Sequence, residues 1–244
     1  MGGDSIGVKL AVTIGAVVVG RMDSRRLPGK VLRPIRGEPL LGWIVARCRR
    51  AALLSEHVAV ATSDRPVDTP IADYCAERHI PCFRGSAGNV AERVLRCAQA
   101  HGWAYFFRVN GDSPFVEPAL LQAAGEQAAA DNYDFITNLA PRTFPYGVSL
   151  ELVRTIAFAS AYAAMQAPAH FEHVTLYLYE HLSDYRVYTY TCPAGNLSGM
   201  HLTVDTEADW VRFERLVAEA GAAWPAIGLN DIIQLYQALE LSRD

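Results

Sequence analysis

Apolar residues in this chain come as short, unbroken runs that alternate with stretches of helical spacing. The first run, "LAVTIGAVVV", is rich in β-branched residues and too short to cross a membrane, which predicts a buried strand over 8–19. "EPLLGWIVARCRRAAL" (38–53) carries apolar residues at helical spacing with its basic residues on the far face. Strands are predicted at 57–62, 80–85, 104–109 and 133–138, and helices at 67–79, 88–102 and 117–131. Pro118 falls in the first turn of the last of these helices, where a missing N–H costs nothing.

Short strands that are apolar throughout and separated by helices belong to a parallel sheet covered on both faces. The fold expected is therefore α/β, a mostly parallel, Rossmann-like sheet. Ligands of such sheets sit beyond the carboxyl ends of the strands. The polar loops after the strands fall at Arg21–Lys30, Thr62–Asp64, Gly85–Ser86 and Asn110–Pro114, so all four should line one crevice.

After residue 140 the pattern changes. "PRTFPYGVSLELV" reads as extended, "RTIAFASAYAAMQ" and "AHFEHVTLYLYEHL" as helical, "YRVYTYTC" and "HLTV" as strands, with helices at 206–220 and 229–241. No repeat or linker interrupts the chain, which predicts one domain over 1–244 with an inserted arm at about 140–200.

Composition changes this picture little. The chain has 244 residues, 51% of them hydrophobic and 20% charged, which suits a globule with a real core. A net charge of −4 gives no reason to expect nucleic acid or a membrane as partner, so a basic loop stands out. The five cysteines show no CxxC pair, and the first seven residues read as a short disordered lead without a signal peptide. A cytoplasmic protein with reduced thiols is expected.

The basic loop is "GRMDSRRLPGK", at the exit of the first strand. A solvated turn is one reading. The other is a polyphosphate site, with Arg21, Arg25, Arg26 and Lys30 as fixed cations and glycines allowing close backbone approach. It is not a Walker A loop. Asp112 in "RVNGDSPF" and Asp205 in "HLTVDTEADW" both follow predicted strands, and two carboxylates beside a polyphosphate loop make a magnesium site plausible. Taken alone, without the basic loop, Asp112 in Asp-Ser-Pro reads as a turn or cap aspartate. Thr206 and Asp209 have the spacing of a capping box. His170, His173 and His181 share a predicted helix with Tyr177, but no ligand set completes a zinc spacing.

Taken together, "GRMDSRRLPGKVL", "EPLLGWIV", "VAVATSD", "FRGS", "RVNGDSPFVEP", "TFPYGVSLEL", "EHVTLYLYE" and "LTVDTEADW" resemble, in order, the cytidylyltransferases that make CMP-activated sugars. That family includes the CMP-sialate and CMP-3-deoxy-octulosonate synthetases, and the likeness runs toward the spore-coat polysaccharide biosynthesis protein F branch. The resemblance implies a Mg²⁺-dependent, homodimeric enzyme that takes CTP and a sugar or sugar acid. It places Arg21, Ser24, Arg26 and Lys30 on the triphosphate, with Asn110 also among the nucleotide-binding residues. Thr62, Ser63, Gly85 and Ser86 fall near base and ribose, and Asp112 and Asp205 on the metal. Arg21, Arg26, Lys30 and Asp112 would carry catalysis. Arg142, Glu151 and His173 would face the acceptor, and the 140–150 segment would join the dimer. The chain departs from the family at Asp23, where glycine is usual, at Ser149 in place of an aspartate, and at Phe171 in place of an arginine. A sugar-nucleotide-dependent glycosyltransferase is the rival enzyme, but Pro114 stands where its second aspartate would be. A silent nucleotide-binding subunit is the rival without chemistry.

Overall fold

Alternation of side chains along the short strands sorts the core into two halves, one on each face of a sheet. The computed structural model of the chain describes residues 12–241. β1 (Ile14–Val19) leads through the basic loop to a small hairpin, β2 (Pro34–Ile35) and β3 (Glu38–Pro39), and then to α1 (Leu40–Arg49). β4 (Val58–Ser63), α2 (Thr69–Glu77), β5 (Cys82–Gly85), α3 (Val90–Ala100), β6 (Tyr105–Asn110), α4 (Pro118–Ala130) and β7 (Phe135–Thr137) follow. The remainder is β8 (Glu151–Arg154), α5 (Thr155–Ala164), α6 (Pro168–Glu172), α7 (Leu176–Glu180), β9 (Val187–Thr189), α8 (Glu207–Ala220) and α9 (Leu229–Leu241).

The main sheet has seven strands in the order β5-β4-β1-β6-β8-β7-β9. Every pairing is parallel except those of β8, which runs antiparallel to both β6 and β7. This is the mostly parallel α/β sheet expected. Ile14, Ala16, Val18, Val60, Phe107 and Ile136 face one core with residues of α1, α4, α8 and α9. Val17, Ala59, Phe106, Phe135 and Val153 face the other with residues of α3, α5 and α7. β5, β4, β1 and β6 all end on the same edge of the sheet, so their exit loops gather there.

Several expected elements come out differently. The first strand begins at Ile14; residues 8–11 and the expected lead lie outside the described residues. The helix expected over 169–182 is two short helices, broken at His173 (φ −102°, ψ 84°). His173 and His181 therefore do not share one helix face. "HLTV" does not enter the sheet: it makes one isolated bridge, Tyr146 with His201. "YRVYTYTC" contributes only the three residues of β9.

The 140–150 segment is tied to its own chain by backbone and side-chain bonds. Asn138, fully buried, donates to Val148 O (2.8 Å) and accepts from Leu150 N–H (2.8 Å), which holds the segment against β7. Tyr146 N–H donates to Met200 O and Leu202 N–H to Tyr146 O, both at 2.7 Å. Phe144 and Val148 enter the core, and Tyr146 is left on the surface. An extended, aromatic sequence could have reached outward, but these backbone bonds have partners within the chain.

Gly15 is required by close packing. A Cβ there would lie 2.0 Å from the Trp103 ring, which is itself buried against β1. Gly15→Ala is therefore expected to destabilise the protein by about 1–3 kcal/mol through overpacking. Urea unfolding checks this as a lower midpoint at unchanged slope.

Candidate active site

A cavity of about 530 Å³ opens at the sheet edge where β1 and β6 end. The loop between β1 and the hairpin forms one side. Leu27 and Val31 anchor it in the core, which leaves Arg21, Arg25 and Arg26 exposed. Met22 N–H donates to Asp68 Oδ1 (2.7 Å), and Asp68 is fully buried, so the loop is also pinned to the exit of β4. Gly111 closes the floor. Its N–H donates to Val19 O (2.8 Å), and a Cβ there would meet that oxygen at 2.7 Å.

Lys30 is 6% exposed and its ammonium has three acceptors. They are Val204 O at 2.7 Å, Asp205 Oδ1 at 2.9 Å and Asp112 Oδ2 at 3.2 Å. Arg26 Nη2 reaches the same Asp205 oxygen at 3.0 Å. The two aspartates come together because Val204 N–H donates to Asp112 O (2.9 Å), which lays the 201–205 segment beside the β6 turn. Asp205 follows this extended segment rather than a strand of the sheet. The capping box at the start of α8 is present, and Asp209 Oδ2 accepts from both Thr206 N–H (2.9 Å) and Asp205 N–H (3.2 Å).

The opposite side is the turn between α6 and α7, where Glu172, His173 and Val174 line the cavity. Arg108 and Asn110 form the floor between the two sides. Six cations (Arg21, Arg25, Arg26, Lys30, Arg93, Arg108) line the cavity against three carboxylates (Asp112, Glu172, Asp205). In a partly enclosed site such an excess attracts an anion of several charges.

The predicted residues divide by position. Arg21, Ser24, Arg26, Lys30, Asn110, Asp112, His173 and Asp205 line the one cavity. Thr62, Ser63, Gly85 and Ser86 stand behind its wall. Thr62 and Ser63 are buried, and Ser63 donates to Asp68. Ser86 O accepts from Arg93, whose side chain does face the cavity. Two of the four loops expected in the crevice therefore support it rather than line it. Glu151 is 1% exposed and lies beneath the cavity rather than on it. Arg142 is elsewhere, with its guanidinium 4.5 Å from the Tyr146 ring centroid. His170 pairs with Glu180 at 2.8 Å, and His181 stacks on Tyr177.

Asp23 is turned to Arg65 (2.7 Å) and Arg21 (3.5 Å) and does not line the cavity. The hydrogen bond from Arg65 holds its carboxyl below the usual range, against the smaller opposing effect of burial. Phe171 packs edge-on to Tyr162 (6.1 Å). Sequence reasoning missed Arg93, Arg108 and Glu172 as lining residues. The one available signal was Arg108, a lone charge inside the apolar run "YFFRVN".

A family model described as cytidylyltransferase matches residues 16–239. The spore coat polysaccharide biosynthesis protein SpsF of Bacillus subtilis is 32% identical over 229 residues, covering 90% of this chain and 92% of that protein. Among solved structures, a cytidylyltransferase from Leptospira borgpetersenii superposes with a TM-score of 0.88 at 23% identity, over 94% of this chain and 95% of its own. A CMP:2-keto-3-deoxy-manno-octonic acid synthetase complexed with CTP gives a TM-score of 0.64 at 18% identity, over 84% of this chain and 98% of its own.

Asp209 tests whether the α8 cap and the cavity can be separated. Burial raises its pKa, but the hydrogen bonds from Thr206, Asp205 and Arg212 outweigh this and leave it lowered. A lowered carboxyl adds stability above its ordinary value of 3.8, and that stability is lost as pH falls through the folded-state value. Asp209→Asn is expected to cost at most about 1 kcal/mol at neutral pH. The gap to the parent protein should shrink below pH 3.8, as read by thermal unfolding across pH.

Proposed function

The chain belongs to the cytidylyltransferase family, and from that premise we propose that it catalyses CTP + sugar → CMP-sugar + pyrophosphate. The sugar is a sugar or sugar acid destined for surface polysaccharide or another glycan. The observation that carries this reading is the Lys30 ammonium, which brings the loop arginines and the Asp112–Asp205 pair into one cavity. The relatives support the same direction: one is named for spore coat polysaccharide biosynthesis, and a structural neighbour was solved with CTP.

In this reading Arg21, Ser24 and Arg26 hold the triphosphate at the loop side, with Asn110 at the floor, and Lys30, its three N–H groups taken by Asp112, Asp205 and Val204 O, contributes its charge from beneath. Thr62, Ser63, Gly85 and Ser86 shape the base-side wall from behind. The acceptor lies toward the α6–α7 turn, where His173 is exposed on the cavity. Its hydroxyl oxygen attacks the α-phosphorus in line and gives up its proton to solvent, and a new O–P bond forms as the bond from that phosphorus to the α–β bridging oxygen breaks. Pyrophosphate leaves with that electron pair. Arg21, Arg26 and Lys30 offset the charge it gains, so the protein acts by positioning and charge rather than by a covalent intermediate.

Asp112 and Asp205 fit a divalent cation, because an oxygen of each reaches one ammonium and hard oxygen donors suit Mg²⁺. When bound there, Mg²⁺ supplies Lewis-acid charge at the α-phosphate. Assembly as a homodimer belongs to the same proposal. It draws support from Tyr146, exposed on the 140–150 segment under the Arg142 guanidinium. Light scattering should return about twice the 26.7 kDa chain mass; a monomer at working concentration removes the dimer.

The direct test is pyrophosphate release with each of the four ribonucleoside triphosphates across nonulosonic, octulosonic and neutral sugars. Release with CTP and one sugar is expected; no release from CTP with any of them sinks the reading. Asp112→Asn and Asp205→Asn should each slow release about a thousandfold, and the double variant little further, because the pair acts as a unit.

A further inference from the structure

We infer that Glu151 is a positioning residue: it does not touch the acceptor but holds Arg108, which does. The inference rests on the cytidylyltransferase reading and adds a residue, Arg108, that the family likeness did not single out.

The sheet itself brings the parts together. β8 pairs with β6 through Phe107 and Leu152, so the next residues along, Arg108 and Glu151, are neighbours across the strands. On its other side Glu151 pairs with Thr137 of β7. Glu151 is enclosed, with a side chain fully removed from solvent. Oε1 accepts from Thr175 Oγ1 (2.6 Å) and Tyr179 OH (2.9 Å), while Oε2 makes no hydrogen bond and is matched by charge alone, as an ion pair with Arg108 Nη2 at 2.6 Å. With its side chain shut off from solvent, Glu151 cannot meet a ligand directly, and it does not line the cavity. Arg108 does line it.

The donors around Glu151 come from α7 and the turn before it, the same segment whose start carries Glu172 and His173 into the cavity. One buried carboxylate thus holds both the guanidinium on the floor and the side of the cavity facing the phosphate loop. Arg108 Nη1 also donates to Asn110 Oδ1, and Nη2 reaches Thr175 Oγ1 at 3.3 Å. A guanidinium held at both ends loses little freedom when it meets an oxyanion of the acceptor. Burial pushes the Tyr179 hydroxyl pKa up, and the Glu151 charge adds to it, so Tyr179 remains a donor to that carboxylate. The arrangement is a first contact supported from behind, in which small misplacement of the supported group carries a large cost.

The test uses the full-length chain with Glu151→Gln, Arg108→Lys and the double variant. Without substrate, phenylglyoxal labelling read by peptide mass spectrometry should modify Arg108 at least about fivefold faster in Glu151→Gln than in the parent, because the guanidinium loses its partner. Arg21 and Arg25 should label at the parent rate. In pyrophosphate release with CTP and the sugar accepted in the panel above, Glu151→Gln should raise KM for the sugar about tenfold and leave KM for CTP within about twofold. On the Arg108→Lys background, the same change should add less than about twofold, since both changes remove one interaction. Unchanged Arg108 labelling overturns the inference. So does an equal change in both KM values, or a loss that adds fully to that of Arg108→Lys. If Glu151→Gln does not fold, Tyr179→Phe removes one donor and should move the same readouts in the same direction. A chain that releases no pyrophosphate with any sugar overturns the cytidylyltransferase reading instead, and the labelling alone then decides whether Glu151 positions Arg108.

Discussion

The site depends on one buried ammonium. Lys30 comes from the loop after β1, Asp112 from the turn after β6, and Val204 and Asp205 from a segment nearly a hundred residues further on. A lysine this buried is stable only if its charge and all three N–H groups are matched. Two carboxylates and a carbonyl do so, and the requirement draws three distant stretches to one point. The geometry that satisfies Lys30 also brings the carboxylate pair beside the loop arginines.

A second constraint operates at the floor. Glu151 must be neutralised where it is buried, and Arg108 on the adjacent strand does this while facing the cavity. The antiparallel insertion of β8 makes the pairing possible, since it puts residue 151 beside residue 108 across the sheet. The break between α6 and α7 lies beside this pair. Around this break His173 lies on the cavity, and Thr175 and Tyr179 both donate to Glu151.

The departures from the family pattern take their meaning from neighbours. Asp23, an anion in a cationic loop, is drawn off the cavity by Arg65, a residue of the loop after β4. Arg84 in turn donates to Ser63 O and Arg65 O, so the basic loop and the exits of β4 and β5 are joined by polar contacts. Phe171 takes a packing role against Tyr162. The α6–α7 side of the cavity thus carries no cation at 171, and Arg108 lies on the cavity beside it.

Local chemistry made much of this protein legible from sequence alone. β-branched runs and helical spacing identified the helices and the main-sheet strands through β7, though not the β2–β3 hairpin, because each of those elements buries a face whose period is written in consecutive residues. The basic loop and Asp112 could be placed at the sheet edge, since exits of parallel strands share one side. The α8 capping box was equally readable, being a contact within four residues. What only the tertiary structure decided were contacts between segments distant in sequence. "HLTV" has a strand's composition but lies outside the sheet, because its backbone bonds go to the 140–150 segment and Asp112. The same bonds fold that segment inward. Glu151 lies one layer below the cavity because Arg108, Thr175 and Tyr179 surround it there. A sequence records which groups carry charge; which charge is buried against which is settled only when the sheet register and the helix break bring them together.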